Sequence, residues 1–261
     1  MCGRYALHSH PDVVALQFGL GVLPAAALAA MVPRYNIAPT QDAPIVRFDP
    51  ERGRELVVAR WGLVPAWAKD VGMGAKMINA RAETVAEKPS FRSAWRKRRC
   101  LVPADGWYEW NEEGGKRQPW YLHPLDGRPA ALAGIWEQWH APDGGMLETY
   151  SLITTEPNAD AAQVHDRMPV VVDPSQFSLW LEGSAEQAAP LLRAMPVGRI
   201  DFHRVDRRMS SGRVDDAQCI DPQSIPAAGA PEPVAAAPKK KRAAAGQADD
   251  ESGEDRQGRL L

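Results

Sequence analysis

Position 2 of the 261-residue chain is a cysteine, inside the opening "MCGRYALHSH". Initiator methionine is commonly removed when the next side chain is small, and cysteine is small enough. Cys2 would then carry two nucleophiles, an α-amine with a reference pKa near ~7.7–8 and a thiol near ~8.5. At neutral pH roughly a tenth of such amines are uncharged and reactive without any tuning. Against this stands the plain reading of position 2 as a frayed terminus. The other residues suited to chemistry have to decide between the two.

Glu109 stands in "DGWYEW" among Trp107, Tyr108 and Trp110. In a strand the side chains alternate, so Trp107 and Glu109 share one face while Tyr108 and Trp110 share the other. A carboxylate beside indole rings is desolvated, which raises its pKa and suits it to proton transfer. The rival reading is a glutamate at a strand edge reaching water. His165 in "VHDRMPVVV" stands at the entrance of an apolar strand beside Asp166 and Arg167. Asn79 and Arg81 in "INARAET" are two polar side chains at a spacing of two. Asn36 in "PRYNIAPTQ" falls in a loop stiffened by Pro33 and Pro39. Trp61 and Trp67 bracket the bend in "RWGLVPAWAKD". Trp61 reads as core, and Trp67 as an exposed stacking surface.

Strands dominate the segments that must position these residues. "PDVVALQFGL" has helical spacing with Pro11 in the first turn. "APIVRFDPERGRELVVARWG" reads as strand, turn and strand. "KPSFRSAWRKRR" reads as a short basic helix, and "RCLVPADGWYEWNEEGGKRQPWYLHP" as a second hairpin turning at "NEEGGK". "RPAALAGIWEQW" and "LETYSLITTEP" are further strands, rich in β-branched and aromatic residues. Two helices follow, "PSQFSLWLEG" and "AEQAAPLLRAM", the second opened by a Ser184–Gln187 capping box. The class is α+β, because regular strand–helix alternation is missing. The folded body is expected over 2–225, and 226–261, built from Ala, Pro, Gly and charges, reads as a disordered tail.

Hydrophobic residues make up 44% of the chain and charged residues 25%, as in ordinary globular proteins. No stretch approaches the ~20 apolar residues of a membrane span, and the opening residues lack the pattern of a signal peptide. Cys2, Cys100 and Cys219 are odd in number and far apart, against a disulfide framework. No C-x-x-C pair is present, against a zinc site, and no cofactor is implied. The formal net charge of −2 speaks against a wholly basic nucleic-acid binder. Two basic runs, "RSAWRKRRC" and "HRVDRRMSSGR", still leave room for one positive groove.

"MCGRY", "PRYNIAPTQ", "RWGLVPAWAKD", "INARAET", "RCLVPADGWYEW" and "HDRMPVVV" stand in an order that resembles the SRAP (SOS response-associated peptidase) family of abasic-site processing proteins. The resemblance extends from residue 2 to about 222. It implies a single domain of mainly antiparallel curved sheets forming a barrel-like core, with peripheral helices and a DNA-binding cleft. It also implies that Cys2, freed of Met1, traps the ring-opened sugar aldehyde of an abasic site. The amine condenses to a Schiff base and the thiol closes a five-membered thiazolidine ring. Glu109 would assist sugar opening and proton transfer, His165 would shuttle protons, and Asn79 would position the sugar or the N-terminus. Arg4, Arg81 and Arg167 would bind phosphates, Trp67 would stack on a base, and Asn36 and Pro39 would line the DNA surface. Some family members carry two consecutive tryptophans where this chain has Trp67 and Ala68. The expected partner is single-stranded DNA, or a single-strand/double-strand junction, containing an abasic site. The protein is expected as a monomer in a bacterial cytoplasm, on the nucleoid when bound to DNA.

Two other classes fit parts of the sequence. "MCG" also opens class II glutamine amidotransferases, whose terminal cysteine attacks an amide with the α-amine as base. A noncovalent single-strand DNA-binding module would leave Cys2 incidental.

Overall fold

A computed structural model describes residues 2–142 and 144–223. The expected tail, 226–261, lies outside the described residues. Along the chain run β1 (Arg4–Leu7), α1 (Pro11–Phe18), α2 (Ala25–Ala30), β2 (Arg34–Ile37), β3 (Asp42–Asp49) and β4 (Gly53–Trp61). They are followed by β5 (Asn79–Arg81), α3 (Arg92–Lys97), β6 (Arg99–Ala104), β7 (Gly106–Glu113), β8 (Lys116–Pro124) and β9 (Ala130–His140). The last are β10 (Met146–Thr155), β11 (Met168–Pro169), α4 (Phe177–Glu182), α5 (Ala185–Ala188) and β12 (Ile200–Arg204). The class is α+β, as the lack of strand–helix alternation predicts.

Five strands close on themselves in the order β10–β4–β3–β6–β9, because β9 pairs back with β10. Closure removes the exposed edges of this sheet. Its ladders are antiparallel except β10–β4, where Thr149 faces Arg60 and Tyr150 faces Trp61. A second sheet runs β12–β8–β7–β1–β2. Leu101, Ile135, Leu152, Ile153 and Trp61 are among the fully buried side chains of the core. Trp61 is core, as its sequence context predicts. It stacks on Tyr150, meets Tyr5 edge-on, and donates its indole N–H to the Ile78 carbonyl at 2.9 Å.

The segment from Arg99 to Pro124 departs from the expected single hairpin. β6 belongs to the barrel, whereas β7 and β8 form a hairpin in the second sheet. Only Asp105 separates β6 from β7, and its carboxylate fixes the change of sheet. It accepts from the backbone N–H groups of His8 and Ser9, at 2.5 and 2.7 Å, and from the Ser9 hydroxyl. Two members of the first basic run are turned to internal tasks, while Arg92, Arg96 and Lys97 are exposed. Arg99 is buried and donates to the carbonyls of Trp180, Trp95 and Gly183, while Arg98 pairs with Glu137 at 2.6 Å. The Arg99 guanidinium serves carbonyls in and after α3 and α4, an internal task that satisfies otherwise orphaned acceptors. Among the described residues no helix is long and apolar enough to cross a membrane.

Candidate active site

Strand β10 organises one half of the site. Its C-terminal end pairs in parallel with β5, placing Leu152 opposite Asn79 and Thr154 opposite Arg81. The same end pairs with β11, which His165, Asp166 and Arg167 enter. The other half comes from the second sheet, where β1 lies against β7 with Arg4 facing Tyr108. That register leads the chain back toward Cys2 past Glu109. Gly106 allows the strand to sit where it does, since a Cβ there would fall 2.4 Å from the Tyr121 ring.

The alternation expected in "GWYEW" is present. Trp107 and Glu109 are both buried, and Tyr108 turns to the other face, where its hydroxyl donates to the Tyr35 carbonyl at 2.5 Å. Glu109 is 1% exposed, and burial pushes its pKa up to about 7. The rival strand-edge position in water is therefore not the one it occupies. The His165 Nε2 lies 4.0 Å from a Glu109 carboxylate oxygen. His165 Nδ1 lies 3.0 Å from the Arg167 backbone nitrogen and 2.9 Å from an Asp166 carboxylate oxygen, so both neighbours in sequence hold the ring with Nε2 toward Glu109. Burial holds the imidazole below its ordinary pKa, so it is mostly neutral at physiological pH.

Asn79 donates its amide N–H to the Cys2 carbonyl at 2.7 Å. The other end of that amide, Oδ1, is buried without a hydrogen-bond partner among the described residues. An acceptor thus sits beside the start of the chain with capacity to spare. The Cys2 thiol is fully buried, and desolvation followed by the Glu109 charge pushes its pKa well above the ordinary thiol range. The structure therefore brings together a neutral thiol, a neutral imidazole and a carboxyl group titrating near neutrality. Such a set can both donate and accept protons at pH 7.

An open cleft of about 570 Å³ is lined by Gly3 and Arg4, which follow Cys2 in the chain, and by Pro39, Trp110, Arg117, Arg207 and Ser210. The Trp110 indole N–H donates to the Ser210 hydroxyl at 3.1 Å, and Arg117 lies over the Trp110 ring at 5.4 Å. Arg117 and Arg207 escaped the sequence reading. Arg207 belongs to the second basic run, so that run contributes to a positive cleft and the first does not. Arg117 is signalled only by its place just after the β7–β8 turn. A separate cavity of about 510 Å³, bordered by Gln17, Phe177 and Arg199, holds none of the expected residues.

The residues expected at DNA are placed differently from one another. Arg4 and Pro39 line the cleft, Arg81 is exposed at the end of β5, and Trp67 is 58% exposed. Ala68 is buried, and its carbonyl receives the Trp139 indole N–H at 2.8 Å. The loop carrying both is closed by Gly62, at φ +123°, whose absent Cβ would lie 2.6 Å from the Gly74 carbonyl oxygen. Asn36 corrects the sequence expectation. It lies on β2 and not in a loop, and it is fully buried, so it cannot line a DNA surface. Its amide N–H groups serve the carbonyls of Met209, Ser211 and Val214, and its oxygen accepts from Arg4 at 2.9 Å. It positions Arg4 from below. Arg167 is engaged by Glu83 through two hydrogen bonds, at 2.7 and 3.0 Å.

The family model described as SOS response associated peptidase (SRAP) matches residues 1–212. YoqW of Bacillus subtilis, named an abasic site processing protein, is 42% identical over 183 residues, which cover 69% of this chain and 80% of that one. HMCES of Gallus gallus, named likewise, is 33% identical over 243 residues, covering 80% of this chain and 71% of its own. A crystal structure of a protein from Bacteroides thetaiotaomicron superposes with a TM-score of 0.76 at 27% identity, over 85% of this chain and all of the other. With a family match over most of its length and the motif residues gathered around Cys2, the chain belongs to the SRAP family.

Proposed function

We propose that the protein senses abasic sites in single-stranded DNA and captures them covalently through Cys2 after loss of Met1. The observation that carries this is the Asn79–Cys2 hydrogen bond, made beside the Glu109–His165 pair. It fixes the start of the chain where proton transfer is available. Protonated Glu109 gives a proton to the sugar ring oxygen while neutral His165 takes the proton of the C1 hydroxyl, so the ring C–O bond breaks and the aldehyde C=O forms. The α-amine adds to that aldehyde, water leaves, and an imine forms while neutral His165 accepts and returns protons. The thiol S–H then adds across the C=N bond, its sulfur to carbon and its proton to nitrogen, closing the thiazolidine. A thiol held neutral by burial has to give up its proton during that addition, which is work for an adjacent base.

Intact mass spectrometry after mixing with an abasic oligonucleotide tests the reading directly. The protein is expected to lack one methionine, and the adduct to weigh the sum of protein and oligonucleotide less one water. Full crosslinking by chains that retain Met1 would rule the aminothiol out, because their Cys2 nitrogen is an amide.

A stacking Trp67 needs an unpaired base face, and arginine contacts need a backbone able to bend into the cleft. Single strands, or junctions ending near the lesion, are expected to bind more tightly than intact duplex. If Arg4, Arg81 and Arg167 each neutralise one phosphate, log K should fall with log salt at a slope of about 2. Equal affinity for intact duplex in a fluorescence anisotropy titration would count against this surface.

A further inference from the structure

Arg167 is not presented to solvent as an open fork. Its inner edge belongs to the barrel, since Nη2 donates to the Thr154 carbonyl on β10 at 2.6 Å. Its outer edge is covered by Glu83, with Oε1 on Nη1 at 2.7 Å and Oε2 on Nη2 at 3.0 Å. The guanidinium is 15% exposed and the carboxylate 45%, so the carboxylate is the lid of this pair. Glu83 is held below the ordinary carboxylate range, first by its hydrogen bonds to Arg167, with the charge of Arg81 contributing as well. Arg167 and Arg81 both stand on the side of the site that β5 and β11 build, and Arg167 is the one the carboxylate touches. A carboxylate and a phosphate each offer paired oxygens to an arginine fork, with similar spacing and the same sign of charge.

We propose that Glu83 occupies on Arg167 the place of a DNA phosphate, so that a strand must displace it to engage that arginine. The inference rests on reading Arg167 as a phosphate contact. Displacement subtracts the strength of the ion pair from every encounter with DNA, damaged or not. A captured lesion is then held by a covalent bond, while an undamaged strand has only noncovalent contacts and leaves. Glu83 in this way biases the protein toward strands that can react.

The test measures binding of an undamaged single-stranded oligonucleotide by the full chain carrying E83Q, R167A or both changes, across a salt series. Glutamine keeps the size of Glu83 but not its charge, and its exposure lets the variant fold. E83Q is expected to bind about threefold to tenfold more tightly than the wild type at low salt, the range of a partly exposed bidentate pair. Its salt slope should stay close to that of the wild type, because Arg167 meets the same phosphate in both once Glu83 is displaced. R167A should bind more weakly than the wild type, and most of the E83Q gain should vanish in the double variant. If E83Q binds the same or more weakly while R167A weakens binding, Glu83 only holds Arg167 in place and the inference is wrong. If the E83Q gain is undiminished in the R167A background, Glu83 acts as bulk negative charge and the inference is again wrong. If R167A binds as the wild type does, the phosphate role of Arg167 itself fails, and the inference falls with it.

Discussion

Cys2→Ala should abolish the crosslink that survives heat and denaturant while leaving an imine that borohydride can trap. Alanine keeps the α-amine and removes the second nucleophile, so condensation with the aldehyde proceeds and ring closure does not. The imine hydrolyses in water and is lost on a denaturing gel unless reduced first. Cys2→Ser should behave similarly, because a hydroxyl is a poorer ring-closing nucleophile than a thiol. The Asn79 bond goes to the backbone carbonyl of residue 2, so neither substitution removes it. Denaturing gels run with and without borohydride read both species. A heat-stable, borohydride-independent crosslink from Cys2→Ala would place the bond on another residue and end the assignment.

Glu109→Gln should slow crosslink formation by about 10²–10⁴-fold, the usual worth of a positioned general acid or base. Both nucleophiles stay in place, so crosslinks already formed should persist as in the wild type. The same substitution has a pH signature in stability. The folded-state pKa of Glu109 is raised to about 7, above its unfolded value, so the native state binds more protons between the two. The favourable contribution is full below the unfolded pKa and is lost as pH rises through about 7. At pH 8 the wild type buries a charged carboxylate, a cost of as much as about 3 kcal/mol that glutamine does not carry. Thermal midpoints should show Glu109→Gln more stable than the wild type at pH 8, with the difference shrinking toward pH 4. A variant that matched the wild type in rate, or that lost stability on going from pH 4 to pH 8 as the wild type does, would remove Glu109 from this role.

Local signals made some of this structure legible in the chain. Pro11 stands at the start of α1, the Ser184–Gln187 capping box forms with both of its bonds, and β3 and β4 turn where glycine and charged residues interrupt the apolar runs. The faces of "GWYEW" follow from strand alternation alone. Closure of the barrel was hidden, because it depends on a parallel pairing of β4 with β10, far apart in sequence and with no turn to announce it. The short strands β1, β2, β5 and β12 are too brief to show a period. The split between β6 and β7 was masked by continuous strand-like residues on both sides of Asp105.

The site divides in the same way. Its residue types were readable one by one, and their association came from resemblance to a family. Meeting in space depends on β10 bringing β5 and β11 together, which spacing cannot show. Asn36 was misjudged because the carbonyls it serves come from Met209, Ser211 and Val214, more than 170 positions later. Glu83 drew no attention as an exposed acid in a polar segment. Its meaning depends on Arg167, which folding brings beside it.

The change of sheet at Asp105 has a bearing on how quickly a lesion can be engaged. Cys2 and Glu109 are attached to one sheet and Asn79 and His165 to the other, and a single residue bound by three short hydrogen bonds joins β6 to β7. A joint of that length leaves little room for hinge rotation between the strands it connects. On the proposed mechanism the reacting groups are accordingly aligned when the chain folds, and their orientational entropy is lost before DNA arrives. On that reading, what remains to be ordered at the encounter is chiefly the strand: a flexible polymer with a missing base would thread into a rigid receptor.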